Sequence, residues 1–490
     1  MDSSLASKKP SIHVDVIIPV HNASETIEEA VNSAMGQKVP VSLIDYFEKY
    51  EFTIFVCCYD DGSSDDSYMK LRQLKEKFSS QPETENISST LLIKASVDGV
   101  ARGAGYARNK AIQLNDTKST NHSKETHHFL CLLDSDDTMH CHRVAEQASY
   151  MLNRLDEDMR DRTLLGCNFI RDPPDSQWHY SEWANSLSDE RLVLEQFREV
   201  TILQPTWFLC KKRWFDLGGY IEAPTDGTAA DLVVKEKRNR LIHTQYDNQE
   251  SLRLAEDLRF FHEHIWSNGV LRIHRTKDPL VMYRHKSGSQ SFRTSRKLLL
   301  QLRVLAFEHS ILTSDPGWQE EGGYFAVWGA GRDGKDFAKA LRPDMRKRIM
   351  CFVDIDAKKI DSGSYVNRQL DLNIPIIHFS YLAKDSRLRH KMQKEWEENT
   401  SNNHILGRID KTREQSQIPT NTRLSMDSSQ QSKRRRLGQI PTLKLSGLSQ
   451  AKLERIPVVV CVAMYRTNGE LERNVKAIGR VEGKDLWHFS

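Results

Sequence analysis

Residues 130–143 read LCLLDSDDTMHCHR, an apolar run that ends in a short segment carrying Asp134, Asp136 and Asp137. Carboxylates this close repel and raise one another's pKa unless a cation lies between them. Hard oxygen ligands on a tight turn suit Mg²⁺ or Mn²⁺, which keep positions for water and substrate phosphate. The competing account is a solvated acidic turn. A second cluster, DDGSSDDS at 60–67, follows another apolar run. A carboxylate at Asp60 or Asp61 can accept the N3–H of a uracil or hold ribose hydroxyls; alternatively the segment is an Asx-rich turn capping a helix. Two such clusters, in order after successive strands, favour a metal–nucleotide site.

The elements that must position these residues are legible as βα units, short apolar runs alternating with amphipathic stretches. VDVII (14–18) reads as a strand, followed by a helix with Ser24 as N-cap and Ile27, Ala30, Val31 and Ala34 on one face. TIFVCCY (53–59) is a second strand, and Asp66 or Ser67 opens the helix after it. LLIKAS leads into a Gly-rich turn and helix, VDGVARGAGYARNKAIQL, and HFLCLL delivers the acidic cluster. These strands finish in polar or glycine-rich loops on one expected sheet edge, and in open α/β sheets ligands bind at the carboxyl ends of the strands.

A chain of 490 residues exceeds one ordinary core, so two domains with linkers are expected. Hydrophobic content of 38% and charged content of 28% describe a globular protein with some polar, unstructured sequence. The net charge of +3 argues neither for nor against nucleic acid. The N-terminal MDSSLASKKPSIHV lacks an apolar core of signal-peptide length, and no stretch approaches a membrane-spanning run. The eight cysteines include no CxxC pair, so neither a zinc site nor a disulfide framework is expected. Buried thiols in a reducing compartment, cytosol or nucleus, fit this usage.

VIIPVHN (16–22), DDGSSDDS (60–67), RGAGYARN (102–109), LLDSDD (132–137) and AED (255–257) together resemble the ordered motifs of inverting family-2 glycosyltransferases with a GT-A fold, across about 12–295. The resemblance implies a uracil pocket from Pro19, His21, Asn22 and Asp61. It implies Asp134 and Asp136 toward the nucleotide, with Mn²⁺ or Mg²⁺ on Asp136 and Asp137. Arg102 and Arg108 suit the phosphates, or else form an ordinary solvated helix face, and Asn109 approaches ribose or sugar. Asp257, at the start of a helix, becomes the general base, with Glu256 the second candidate; acidic residues are also common in a helix's first turn. His285 stands where a further metal ligand is expected, one residue short of the usual spacing. His140-Cys141-His142 is too tight to aim three side chains at one ion, and His262 and His264 read as structural.

RDPPDS (171–176), PTWF (205–208), VWGAGRDGK (327–335) and the terminal LWHFS narrow the resemblance to the branch of that family that modifies tRNA. That implies a UDP-galactose donor and a tRNA acceptor, with Trp183, Trp207 and Phe208 available to stack a base or sugar, although core packing is the commoner fate of such aromatics. The Asn22-Ala23-Ser24 sequon lies inside the implied uracil pocket, where a glycan would block it, which argues for a cytoplasmic protein. The expected organisation is a flexible 1–11, a GT-A domain over 12–315 with a polar insertion at 226–251, and a small Rossmann-like domain from 322–382 plus 454–490. Residues 383–453 read as an unstructured insertion whose KRRR (433–436) is a solvated run or a nuclear-import signal. Three rivals remain. One is a transferase using UDP-N-acetylglucosamine on a glycan or protein. Another is an NAD enzyme built on GAGRDG (329–334) with Asp354. The third is a non-catalytic RNA-binding adaptor.

Overall fold

The computed structural model describes residues 9–80, 87–115, 126–222, 253–285, 294–398, 449–462 and 469–489. The chain divides into two compact units, Met1–Ala306 and Phe307–Ser490. The expected insertion at 226–251 and the KRRR run at 433–436 lie outside the described residues.

The first unit is built on a mixed seven-stranded sheet. Its strands are β1 (Ser11–Val20), β2 (Glu51–Asp60), β3 (Ser88–Ala95), β4 (Thr126–Leu132), β6 (Thr163–Cys167), β8 (Phe208–Cys210) and β9 (Val270–His274), in the order β3-β2-β1-β4-β8-β6-β9. β3, β2, β1 and β4 run parallel, whereas β8 is antiparallel to both β4 and β6. A small three-stranded sheet joins β5 (Thr138–Met139), β10 (Val281–Arg284) and β7 (Phe169–Asp172).

Parallel strands are covered on both faces, and β1 shows why. Val14, Val16 and Ile18 belong to one core cluster with Ile27, Val31, Leu71, Val144 and Met151, whereas Ile17 belongs to another with Ala107, Ala111, Leu258 and Phe261. Helices Ile27–Met35, Ser67–Ser79 and Arg143–Asn153 therefore cover one face, and Ala104–Ile112 and Glu256–Trp266 the other. Each fully buried Ile or Leu contributes roughly 1.5–3 kcal/mol, which fixes the register of the strands that carry the site. The first helix starts later than expected. Ser24 does not cap it; its N–H donates to Asp65 Oδ2 at 3.0 Å, and the helix begins at Ile27 behind Thr26.

The second unit has a six-stranded sheet, ordered β13-β14-β12-β11-β15-β16: β11 (Phe325–Trp328), β12 (Ile349–Asp354), β13 (Ser364–Asn367), β14 (Leu372–His378), β15 (Val458–Val460) and β16 (Leu486–His488). All neighbours but β13 and β14 are parallel. One expectation needs correcting: residues 386–398, at the head of the stretch read as unstructured, are helical. Asp385 Oδ1 accepts from the amides of Arg387 and Leu388, Met392 packs on the unit's core, and Trp396 Nε1 donates to Ile355 O at 3.2 Å. A capped start and two apolar anchors outweigh the polar composition.

Candidate active site

β2 and β4 flank β1, and all three end at the same edge of the sheet. The chain order reverses beside β1, making a switch point that opens a crevice for ligands. Asp60 ends β2, and Asp134 to Asp137 follow β4. The two acidic clusters read from the sequence thus stand on either side of one strand.

The Asp61 amide donates to Val20 O at 2.8 Å, and His21 Nδ1 lies 3.0 Å from Asp61 O. Asp61 Oδ2 accepts from the amides of Arg102 and Gly103, both at 2.7 Å. Its Oδ1 is buried with no partner, as is Asp60 Oδ2. Burial pushes the Asp61 carboxyl up, while the two amides and nearby His21 and Arg102 pull it down. A buried acceptor left open is costly unless an incoming N–H or O–H meets it. Gly62 sets the turn, with φ at +71° and space so tight that a Cβ would stand 2.5 Å from Gly99 O.

Asp134, Asp136 and Asp137 each place a carboxylate oxygen within 4.8 Å of the others. Asp137 is fully buried; its Oδ1 accepts from the Arg284 amide at 2.8 Å and its Oδ2 has no partner. Burial first, then the charges of Asp134 and Asp136, hold its pKa well above the usual carboxylate range. An all-oxygen donor set under this mutual repulsion fits a hard divalent cation.

Arg108 is buried and bridges two carboxylates, Nη2 to Asp134 Oδ1 at 2.5 Å and Nη1 to Glu256 Oε1 at 2.8 Å. Gly105, one turn earlier, permits this approach: a Cβ there would meet the Cβ atoms of Glu256 and Tyr220 at 3.2 Å. Ala255 precedes helix Glu256–Trp266 at a left-handed φ of 54°. Such a conformation costs a non-glycine residue on the order of 1–3 kcal/mol and clusters at functional sites. Next to it, Asp257 remains partly exposed, and its Oδ1 accepts from the Leu258 amide at 2.7 Å. Burial and then the Glu256 charge push the Asp257 carboxyl up to about 7, against the pull of that amide and of Arg108. A carboxylate poised near neutral pH is suited to taking a proton.

Several expected residues stand elsewhere or serve otherwise. Pro19 lies within β1 and pairs in register with Tyr59. Asn22 ties the end of β1 to the next loop, its Oδ1 accepting from Ser64 N at 2.8 Å. Arg102 gives its guanidinium to Asp98, with Nη1 to Oδ1 at 3.0 Å, and lines a cleft with Tyr59, Lys94, Tyr106 and Lys110. Arg108, read as a phosphate ligand, is consumed by the two carboxylates. Asn109 is likewise committed, its Nδ2 donating to Tyr220 O at 2.8 Å and to Glu222 Oε1 at 2.9 Å.

Trp207 and Phe208 correct the acceptor-side expectation, because both are fully buried. Trp207 Nε1 donates to Ile202 O at 2.8 Å, and Phe208 sits on β8 against Phe129 at 5.1 Å. β8 is an interior strand, so its side chains serve the core. Trp183 is only half-buried, with the Arg198 guanidinium over its ring at 5.5 Å. His285 is not among the ligand atoms gathered with the acidic three; its amide continues the edge pairing, donating to Asp172 O at 2.8 Å. His262 and His264 are buried, and burial pushes both imidazoles down to about 3.

Three further observations were not foreseen. Arg284, at the end of β10, adds a guanidinium contact to Asp136 O at 3.4 Å beside its amide bond to Asp137. Arg284 stands directly before His285, already read as a candidate ligand, and that adjacency was the available signal. His140, Cys141 and His142 do bring ligand atoms within 4.8 Å of one another, contrary to expectation. Residues 141–142 form a turn rather than a strand, so consecutive side chains gather instead of alternating. Asp354 of the second unit closes its own glycine loop: Oδ2 accepts from Ala330 N at 2.8 Å and Lys359 Nζ at 2.9 Å, and Oδ1 from Ile355 N and Asp356 N. That occupies the carboxylate a dinucleotide ribose needs.

Residues 15–218 match the family model described as Glycosyl transferase family 2. The first unit's mixed α/β architecture, with its large parallel-rich sheet, is that of the GT-A fold. Among solved structures, S. aureus TarS aligns at 15% identity with a TM-score of 0.35, covering 69% of this chain. The alignment spans 50% of that TarS chain, so this chain accounts for half its length. TarS 1–349 in complex with UDP-GlcNAc aligns at 15% identity with a TM-score of 0.38, over 69% of this chain and 84% of that one. TarS 1–349 in complex with UDP gives 15% and 0.34, over 69% and 83%.

Proposed function

We propose that the first unit is an inverting, metal-dependent glycosyltransferase that moves galactose from UDP-galactose to queuosine in a cytosolic tRNA, tRNA-Tyr first among them. The family match over residues 15–218 and the acidic donor set support a nucleotide-sugar transferase. The galactosyl donor and queuosine acceptor rest on the resemblance carried by RDPPDS, PTWF, VWGAGRDGK and LWHFS.

The observation that carries the reading is the pair of open, buried oxygens, Asp61 Oδ1 and Asp137 Oδ2, on loops after the strands flanking β1. The first is an acceptor for the imide N–H of a uracil, and His21 and Asp60 complete that wall. The second belongs with Asp134 and Asp136, which would hold Mn²⁺ or Mg²⁺; that ion would supply positive charge against the departing diphosphate. Asp257 takes the proton from the acceptor hydroxyl as its oxygen bonds to the anomeric carbon, and the bond from that carbon to UDP breaks on the opposite face. The carboxyl raised to about 7 holds a proton tightly enough to draw it from the hydroxyl, yet is largely ionised above that pH. Arg108 keeps Glu256 paired, leaving Asp257 as the open base, and Trp183 is the remaining aromatic for the acceptor. No helix among the described residues is long and apolar enough to cross a membrane.

The test is label transfer from UDP-galactose, with Mn²⁺, to bulk tRNA prepared with and without queuosine, beside UDP-glucose and UDP-N-acetylglucosamine. Label only in queuosine-containing tRNA and only from UDP-galactose is expected. Transfer from UDP-N-acetylglucosamine instead would replace the donor, and no label with UDP-sugar binding intact would move the acceptor to a glycan or protein.

A further inference from the structure

His140, Cys141 and His142 form the turn between β5 and helix Arg143–Asn153 and bring one ligand atom each within 4.8 Å of the others. Ideal tetrahedral coordination, with Zn–N of about 2.0–2.1 Å and Zn–S of about 2.3 Å, needs donors some 3.3–3.8 Å apart. That range falls within the 4.8 Å bound on the present separations. The turn is anchored on both sides: His140 N donates to Leu280 O at 2.9 Å, Gln37 Nε2 donates to His140 O at 3.0 Å, and Lys38 N donates to Cys141 O at 2.7 Å. The two imidazoles meet edge to face at 5.1 Å, and the His142 amide reaches His140 Nδ1 by only a long 3.3 Å bond that a metal can displace.

Cys141 stands apart from the other cysteines. The other seven are buried, and burial pushes every one of those thiols up, whereas Cys141 is partly exposed. All three side chains are partly exposed, which leaves an open coordination position for water.

We propose that His140, Cys141 and His142 bind one Zn²⁺ through two imidazoles and a thiolate, with solvent in the fourth position. This site is separate in chemistry from the all-oxygen group at Asp134, Asp136 and Asp137. Borderline-soft Zn²⁺ prefers nitrogen and sulfur, whereas Mg²⁺ takes oxygen, so the two sites sort their ions. A bound Zn²⁺ clips the turn that links the acidic loop to its supporting helix.

The experiment uses the full chain, stripped with chelator and held in excess Mg²⁺ so that the oxygen site is filled. One equivalent of Zn²⁺ should bind, and Co²⁺ in its place should give thiolate-to-metal charge-transfer absorption. Cys141→Ser should abolish that absorption and weaken Zn²⁺ at least tenfold, with the metal-free Tm unchanged. His142→Ala should weaken Zn²⁺ similarly, and Asp136→Asn should retain both signals. Zn²⁺ affinity and Co²⁺ absorption unchanged in Cys141→Ser, or lost in Asp136→Asn, overturn the assignment.

Discussion

Arg108 and Glu256, 148 residues apart, are joined by a 2.8 Å ion pair shielded from solvent, and the same guanidinium holds Asp134. One buried cation therefore locks the acidic loop after β4 to the helix start that carries Asp257. Removing it leaves two carboxylates uncompensated. Arg108→Met should cost about 3–5 kcal/mol, the usual penalty for breaking a buried pair, read by denaturant unfolding. A change below 1 kcal/mol would mean that water reaches both carboxylates.

Asp257→Asn keeps the shape and the Leu258 amide contact but removes the proton acceptor. The rate of transfer should fall by roughly 10²–10⁴, the range for losing a general base, while UDP-sugar affinity stays within threefold. A fully active variant would move the base to another residue.

The pH profile follows from the raised Asp257 carboxyl. Only the ionised form takes a proton, so kcat should rise with pH through about 7 and then level. Stability runs the other way. The folded state holds this proton more tightly than the unfolded chain, whose Asp titrates near about 3.9. The contribution is complete below that value and lost as pH rises toward about 7. Asp257→Asn should therefore gain stability relative to the parent chain at pH 8 but not at pH 3.5; equal Tm differences at both would remove the shift.

Asp137→Asn separates repulsion from metal binding. The amide oxygen can still accept from the Arg284 amide, and the charge conflict with Asp134 and Asp136 is relieved. In chelator the variant should melt higher than the parent, whereas added Mn²⁺ should raise the parent's Tm and not the variant's. Metal-dependent UDP-sugar binding should be lost as well. Parent-like affinity would end the assignment of Asp137 as a ligand.

Gly62→Ala tests the turn that aims Asp61. A Cβ would meet Gly99 O at 2.5 Å, and the positive φ disfavours any side chain. The loop should shift and UDP affinity fall at least tenfold with the sheet intact by circular dichroism. Unchanged affinity would show that Asp61 does not depend on this turn.

Much of this was readable in the residues because it is local. Strands show as apolar runs, their ends as Asp, Gly and Ser, and the order of these motifs places Asp61 and Asp134 to Asp137 at carboxyl ends without any coordinates. Sequence spacing even put Asp257 at a helix start. Long-range partnership was another matter. Which carboxylates Arg108 meets depends on how helix Ala104–Ile112 lies beside helix Glu256–Trp266, and no local pattern encodes that crossing. Trp207 and Phe208 were open to either stacking on an acceptor or core packing until β8 was seen to fill the interior of the sheet between β4 and β6. His140, Cys141 and His142 read as too tight a run to converge on one ion, yet the turn at 141–142 gathers their ligand atoms. Types and order came from the sequence; tertiary packing decided which charges are paired, which oxygens are left open and which rings are buried, because those depend on contacts between segments distant in the chain, 148 residues apart for Arg108 and Glu256.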